Sequence, residues 1–161
     1  MLIGIMSDTH DNLVYVQKAI DVFNDRRVGL VIHAGDYTSP FTLKLFPQLG
    51  CKYLGIFGNN DGDKLLLLER AAGNIYYQPY ILTLHNRKIV VMHEHHLVEA
   101  LADSGHFDMV IYGHTHTPDI RKVKHTLIVN PGEVGTWLYG KSTVAVADLE
   151  KMDAEIIALN A

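Results

Sequence analysis

Short apolar runs recur along the chain, and most of them stop at a polar cluster. The first covers residues 2–6 and runs into Ser7-Asp8-Thr9-His10-Asp11. The second, 28–33, ends in Ala34-Gly35-Asp36, and the third, 52–57, in Gly58-Asn59-Asn60-Asp61. Runs of this length bounded by Gly, Asn and Asp predict buried strands. Helical spacing appears between them. Leu13, Val16, Ile20 and Phe23 share one face behind Asp11 as a cap. Ser39-Pro40 opens a second predicted helix, stopped by Pro47 and Gly50, and a leucine-rich third spans about 63–72. The second half changes character. Strands 80–84 and 87–92 flank His85-Asn86 as a hairpin, and the latter strand leads into His93-Glu94-His95-His96. A short helix at 97–102 and a strand at 109–112 follow, then strands at 119–123, 126–129, 142–148 and 154–159, with Asn130-Pro131-Gly132 as a turn. Alternation first and hairpins later predict a mixed sheet or two packed sheets, with helices outside.

Composition narrows the possibilities. A chain of 161 residues, 48% hydrophobic and 20% charged, suits one soluble domain. The formal net charge is −4 with no basic stripe, so strong nucleic-acid binding is not expected. Cys51 is the single cysteine, which allows no intrachain disulfide. No signal-type or membrane-spanning run is present, and the chain is expected to be cytoplasmic. Histidine is the outlier, at 10 copies.

Several histidines fall where chemistry gathers. Asp8 and His10 follow the first strand, Asp36 the second and Asn59 the third; His93 follows the hairpin, and His114 and His116 follow the strand at 109–112. The carboxyl edge of an α/β sheet is where sites form. Each residue alone has a plainer use: Asp8 or Asp36 could cap a helix, Asn59 could sit in a turn, and a single histidine could be structural. Recurrence at five strand ends argues for metal. Seven O and N donors exceed one mononuclear site with open positions and suit two metals sharing a carboxylate.

Asp8-Thr9-His10, Gly35-Asp36, Gly58-Asn59-Asn60-Asp61, His93 and Gly113-His114-Thr115-His116 resemble, in order and spacing, the motifs of the calcineurin-like metallophosphoesterases. The likeness is to the small single-domain phosphodiesterases of that family and extends through Asn130-Pro131-Gly132-Glu133. It implies a four-layer α/β/β/α sandwich of two mixed sheets. Asp8, His10 and His116 would hold one metal, Asn59, His93 and His114 the other, and Asp36 would bridge them. The implied reaction is hydrolysis of a small phosphodiester by a metal-bridging hydroxide. Two Mn²⁺ are the first expectation, with Ni²⁺, Co²⁺, Fe²⁺ or Zn²⁺ suited by the same ligands.

Three positions depart from the family pattern. Ser39 stands where the family has Asp, Asn60 where it often has His, and Glu94 splits a usual His-Gly-His. Asn60 can bond a phosphoryl oxygen but cannot act as an acid. His95 is then a candidate contact or proton donor, and Glu94 is expected in solvent. His33 is expected in the core with one hydrogen bond, His96 as a cap, and His85, His106 and His125 at the surface. Tyr76, Tyr77, Tyr80, Trp137 and Tyr139 could line a pocket or a subunit interface. A phosphomonoesterase, a nuclease and a non-catalytic scaffold resembling the retromer subunit of this fold are the rival readings.

Overall fold

The computed structural model describes residues 1–160. In its central strands, alternate side chains enter different layers. In β1 (Leu2–Met6), Ile3 and Ile5 point to one face and Met6 to the other. The same division holds in β2 (Leu30–His33), where Ile32 joins Ile3 and Val31 joins Met6. Both faces are apolar, so the sheet must be covered on both sides.

One six-stranded sheet has the order β11-β10-β1-β2-β3-β4. It is completed by β3 (Lys52–Ile56), β4 (Ile75–Tyr76), β10 (Thr143–Asp148) and β11 (Asp153–Ala158). β1 to β4 run parallel and β10 and β11 pair antiparallel. The other sheet, of five strands, has the order β5-β6-β7-β9-β8. Its strands are β5 (Tyr80–Leu84), β6 (Arg87–Val91), β7 (Met109–Ile111), β8 (Asp119–Val123) and β9 (Thr126–Asn130). β6, β7 and β9 run parallel, and β5 and β8 pair antiparallel at the edges.

Ile3, Ile5 and Ile32 of the first sheet meet Ile89, Ile111 and Val129 of the second in a shared core. On the outer face of the first sheet lies α1 (Leu13–Asp25), through Val16, Ala19, Ile20 and Phe23, with α2 (Lys64–Arg70) adding Leu67. On the outer face of the second lies α3 (Val98–Asp103), whose Val98 and Ala102 pack on Val90, Val110 and Ile128. The layers are therefore helix, sheet, sheet, helix, as expected.

Some local expectations fail. The helix predicted from Ser39 is two 3₁₀ turns, Thr42–Lys44 and Phe46–Gln48. Pro47 has no amide for an α-ladder, and the Asp11 carboxylate accepts from both the amide and the hydroxyl of Thr42 at 3.2 and 3.1 Å. Asp11 is thereby diverted from α1, whose N-cap is Asn12 without a side-chain cap bond. His96 is not the cap of α3, which begins after Leu97. β4 has only two residues, too few to show alternation in the sequence. His33 has two hydrogen-bond partners rather than one: Thr9 Oγ1 and the Gly35 amide, each at 3.1 Å. His85, His106 and His125 are exposed, as expected.

Candidate metal centre

The loops that leave β1 and β2 are laced together by their backbones. The amides of Asp8, His10 and Asp11 donate to the carbonyls of Gly35, Asp36 and Tyr37 at 3.0, 3.2 and 3.1 Å. The Asp61 carboxylate fastens the third loop to the second by accepting from the amides of Gly58, Thr38 and Asp36 at 2.7, 2.8 and 3.2 Å. Gly58 is required there, because a β-carbon would stand 2.2 Å from Asp36 Oδ1. The lacing holds unusual backbone. Asp8, His10, Asp36, His114 and His116 have φ of 54, 41, 62, 66 and 58°. Non-glycine residues seldom adopt such angles, and clusters of them mark functional sites.

All seven residues singled out from the sequence converge on two clusters. In the first, one donor atom each of Asp8, His10 and His116 lies within 4.8 Å of the others. Asp8 Oδ1 is 3.4 Å from His116 Nε2 and 3.9 Å from His10 Nε2. In the second, Asn59 Oδ1 stands 2.8 Å from His93 Nε2 and 2.9 Å from His114 Nδ1. Asp36 lies between them: Oδ1 is 3.4 Å from His93 Nε2 and Oδ2 is 3.6 Å from His10 Nε2. Asp8 also falls within 4.8 Å of Asp36 and His93, so it too borders both clusters.

The rear of three of the four imidazoles is held, each by a different partner. His93 Nδ1 meets the Ala34 carbonyl at 2.8 Å, His10 Nδ1 meets Thr38 Oγ1 at 3.0 Å, and His116 Nδ1 meets Glu133 Oε2 at 2.6 Å. The Ala34 carbonyl and the Glu133 carboxylate can only accept, so His93 and His116 carry hydrogen on Nδ1 and present Nε2 to the interior of the site. Metal-ligating histidines are commonly oriented this way. The carboxylates are unequal. Burial pushes the Asp8 carboxyl up, against the pull of His93 and His116. Burial also opposes ionisation of Asp36, but His93 and the Asn60 donors outweigh it and hold that carboxyl well below the usual range. Burial opposes protonation of His93 as well, yet Asp36 raises its pKa; burial and His93 lower that of His114.

Two buried atoms of the site, Asp8 Oδ1 and His10 Nε2, have no hydrogen-bond partner. Buried polar atoms are rarely left so. A carboxylate oxygen and an imidazole nitrogen turned inward without a hydrogen-bond partner fit a divalent cation, so the donor set suits metal. Clefts of about 430 and 480 Å³ lie elsewhere, along the 3₁₀ turns, and none of the seven residues lines them.

Asn60 lies against Asp36. Its amide donates to Asp36 Oδ1 at 2.8 Å and its side chain to Asp36 Oδ2 at 2.7 Å. One side-chain N–H remains for another acceptor. His95 is exposed and stacks on His114, with ring centroids 5.6 Å apart. Sequence reasoning missed three supporting groups. Glu133 and Asp61 stand in the sequence only as the last residues of Asn130-Pro131-Gly132-Glu133 and Gly58-Asn59-Asn60-Asp61. Gln78, whose Oε1 accepts from the amides of His93 and Glu94 at 2.7 and 3.2 Å, carries no local signal.

Comparison with known proteins agrees with this geometry. A family model described as calcineurin-like phosphoesterase superfamily domain matches residues 1–152. The chain is 40% identical over 165 residues to phosphodiesterase MJ0936 of Methanocaldococcus jannaschii, covering 99% of each protein. A solved archaeal phosphodiesterase superposes with a TM-score of 0.92 at 40% identity, covering 98% of this chain and 99% of the other. Vps29 of Entamoeba histolytica, complexed with Zn²⁺, superposes with a TM-score of 0.73 at 16% identity, over 99% and 100% of the two chains, which is a likeness of fold. With the family model spanning every loop of the site and every strand but β11, the chain belongs to the calcineurin-like phosphoesterase superfamily.

Proposed function

We propose that this protein is a metal-dependent phosphodiesterase acting on a small phosphodiester. Asp8, His10 and His116 would hold one divalent cation, and Asn59, His93 and His114 a second, with Asp36 shared. The observation that carries this reading is Asp36, whose two oxygens face different clusters while Asp8 Oδ1 and His10 Nε2 stand unpartnered beside it. The 40% identity to a phosphodiesterase over the whole chain supports the reaction class. When bound, the cations supply Lewis-acid charge to the phosphate and acidify a water.

The chain's own residues prepare that chemistry. Asn60 holds Asp36 through two hydrogen bonds and keeps one N–H for a phosphoryl oxygen. His95, exposed beside His114, is placed to contact the substrate or give a proton to the departing alkoxide. Ala34, Thr38 and Glu133 keep three imidazoles aimed inward. Mn²⁺ is the first choice of metal. We place the protein in the cytoplasm; among the described residues no helix is long and apolar enough to cross a membrane. A net charge of −4 favours a small ester over a nucleic acid. Seven intact donor positions favour an enzyme over a scaffold.

The test is turnover of bis-p-nitrophenyl phosphate by metal-free protein with and without Mn²⁺. We expect hydrolysis only with metal, and its loss in Asp36→Ala. Full turnover by Asp36→Ala, or none by the Mn²⁺-loaded protein, would sink the proposal.

A further inference from the structure

One rim of the candidate metal centre is a closed loop whose large apolar side chains stand mostly in solvent. Residues 136–140 begin at Thr136 and end at Gly140, both with φ of 64°, and the Gly140 amide closes the loop on the Thr136 carbonyl at 3.2 Å. Its backbone is well tied. Glu133 Oε1 accepts from the amides of Leu138 and Tyr139 at 3.3 and 3.1 Å, while Oε2 of the same carboxylate holds His116. Asn12 Nδ2 donates to the Gly135 carbonyl at 2.8 Å. Yet Trp137, Leu138 and Tyr139 are 65%, 63% and 61% exposed.

Trp137 is the member set against the site. Its indole Nε1 donates to the carbonyl of His10 at 3.2 Å. It also lies over Gly135, where a β-carbon would meet Trp137 Cδ1 at 2.9 Å and the Asp8 and Thr9 carbonyls at 3.0 and 3.2 Å. The indole therefore leans on the loop that carries Asp8 and His10, with its position fixed and much of its surface in water. A large apolar side chain held in this way is unusual unless something covers it. Three side chains of one loop fall short of the roughly 800 Å² per partner of a stable protein interface. A planar ring the size of a substrate substituent matches one indole face.

We propose that the loop at residues 136–140, and Trp137 above all, is a subsite for one ester group of the substrate, selecting a planar aromatic or heteroaromatic group over an alkyl one. The subsite rests on the phosphodiesterase reading above, because it needs a diester phosphate seated beside His10 and His116. The phosphate would bind at the donor clusters and the ring would stack on the indole. Such stacking gives affinity without sequence-like discrimination among rings.

Two diesters with the same leaving group test it: p-nitrophenyl phenyl phosphate and p-nitrophenyl methyl phosphate, with Mn²⁺-loaded full-length protein. Wild type should favour the phenyl ester in kcat/KM. Trp137→Ala should lower the phenyl-over-methyl preference by about tenfold, the order expected for one stacked ring, and Trp137→Phe should restore most of it. A binding readout stands apart from turnover. Trp137 is the only tryptophan, so its emission should shift saturably with phenylphosphonate and not with methylphosphonate. An unchanged preference in Trp137→Ala, with both diesters still hydrolysed and no emission shift, overturns the subsite and leaves the phosphodiesterase reading intact. A saturable shift with neither diester hydrolysed does the reverse. An unchanged preference, together with loss of a dimer in light scattering, would assign the loop to contact between copies of the chain and overturn the subsite.

Discussion

At the residue scale, two side chains make sharp predictions. His33 is buried, stacked on Tyr37 with centroids 3.7 Å apart, and its Nδ1 accepts the Gly35 amide. An imidazole that accepts at Nδ1 must stay neutral, and burial pushes its pKa from 6.5 down to about 3. The unfolded chain takes up this proton below pH 6.5 and the folded chain does not. The contribution is therefore complete above pH 6.5 and is lost as pH falls towards 3, at about 1.4 kcal/mol per pH unit. Urea unfolding between pH 7 and 4 should show this slope, and His33→Gln should flatten it; an equal slope in the variant would contradict the assignment. Glu133 is the second case. Replacing it with Gln keeps the shape and removes the charge behind His116, so Mn²⁺ affinity should fall by about 10- to 100-fold in calorimetric titration, the usual size of such an effect. The ligand candidates were legible because each follows an apolar run. Glu133 and Gln78 act on histidines 17 and 15 positions away, across strand connections whose path no local pattern encodes.

At the element scale, periodicity located every strand but β4, and α1, but failed where a side chain from another loop decides the outcome. Asp11 looked like a helix cap and instead organises Thr42, breaking the expected second helix into 3₁₀ turns. β3 carries a further constraint that no periodicity reveals. A β-carbon at Gly55 would lie 1.8 Å from the Tyr37 hydroxyl and 2.9 Å from the His33 carbonyl. Gly55→Ala should therefore destabilise the fold by about 1–3 kcal/mol, the usual range for overpacking. The buried Tyr37 hydroxyl has no hydrogen-bond partner. Removing it in Tyr37→Phe should be neutral or stabilising alone, and should recover part of the Gly55→Ala loss in the double variant. Additive losses in chemical denaturation would show that Tyr37 is not what Gly55 accommodates.

At the scale of the whole molecule, two sheets and outer helices followed from the alternation of strands with helices and then hairpins. The strand order did not follow. β10 lies antiparallel beside β1, with Ile3 opposite Ala147, a pairing across nearly the whole chain. Such long-range registers leave no trace in local pattern. The site joins loops from both sheets, so cation binding should brace the entire sandwich. Saturating Mn²⁺ at about 100 times its dissociation constant should add about 2.7 kcal/mol of stability, reversed by EDTA. Titration should give two equivalents. His116→Ala and Asn59→Ala should lose different ones, and loss of the same equivalent by both would undo the division of ligands. The left-handed backbone at Asp8, His10, Asp36, His114 and His116 then has a consequence for how this protein can change. Each such residue costs about 1–2 kcal/mol, a penalty glycine escapes. Selection for heat resistance in chelator-treated protein should therefore enrich glycine at these five positions, yielding hardier molecules stripped of catalysis. Durability and activity pull against each other along this one edge.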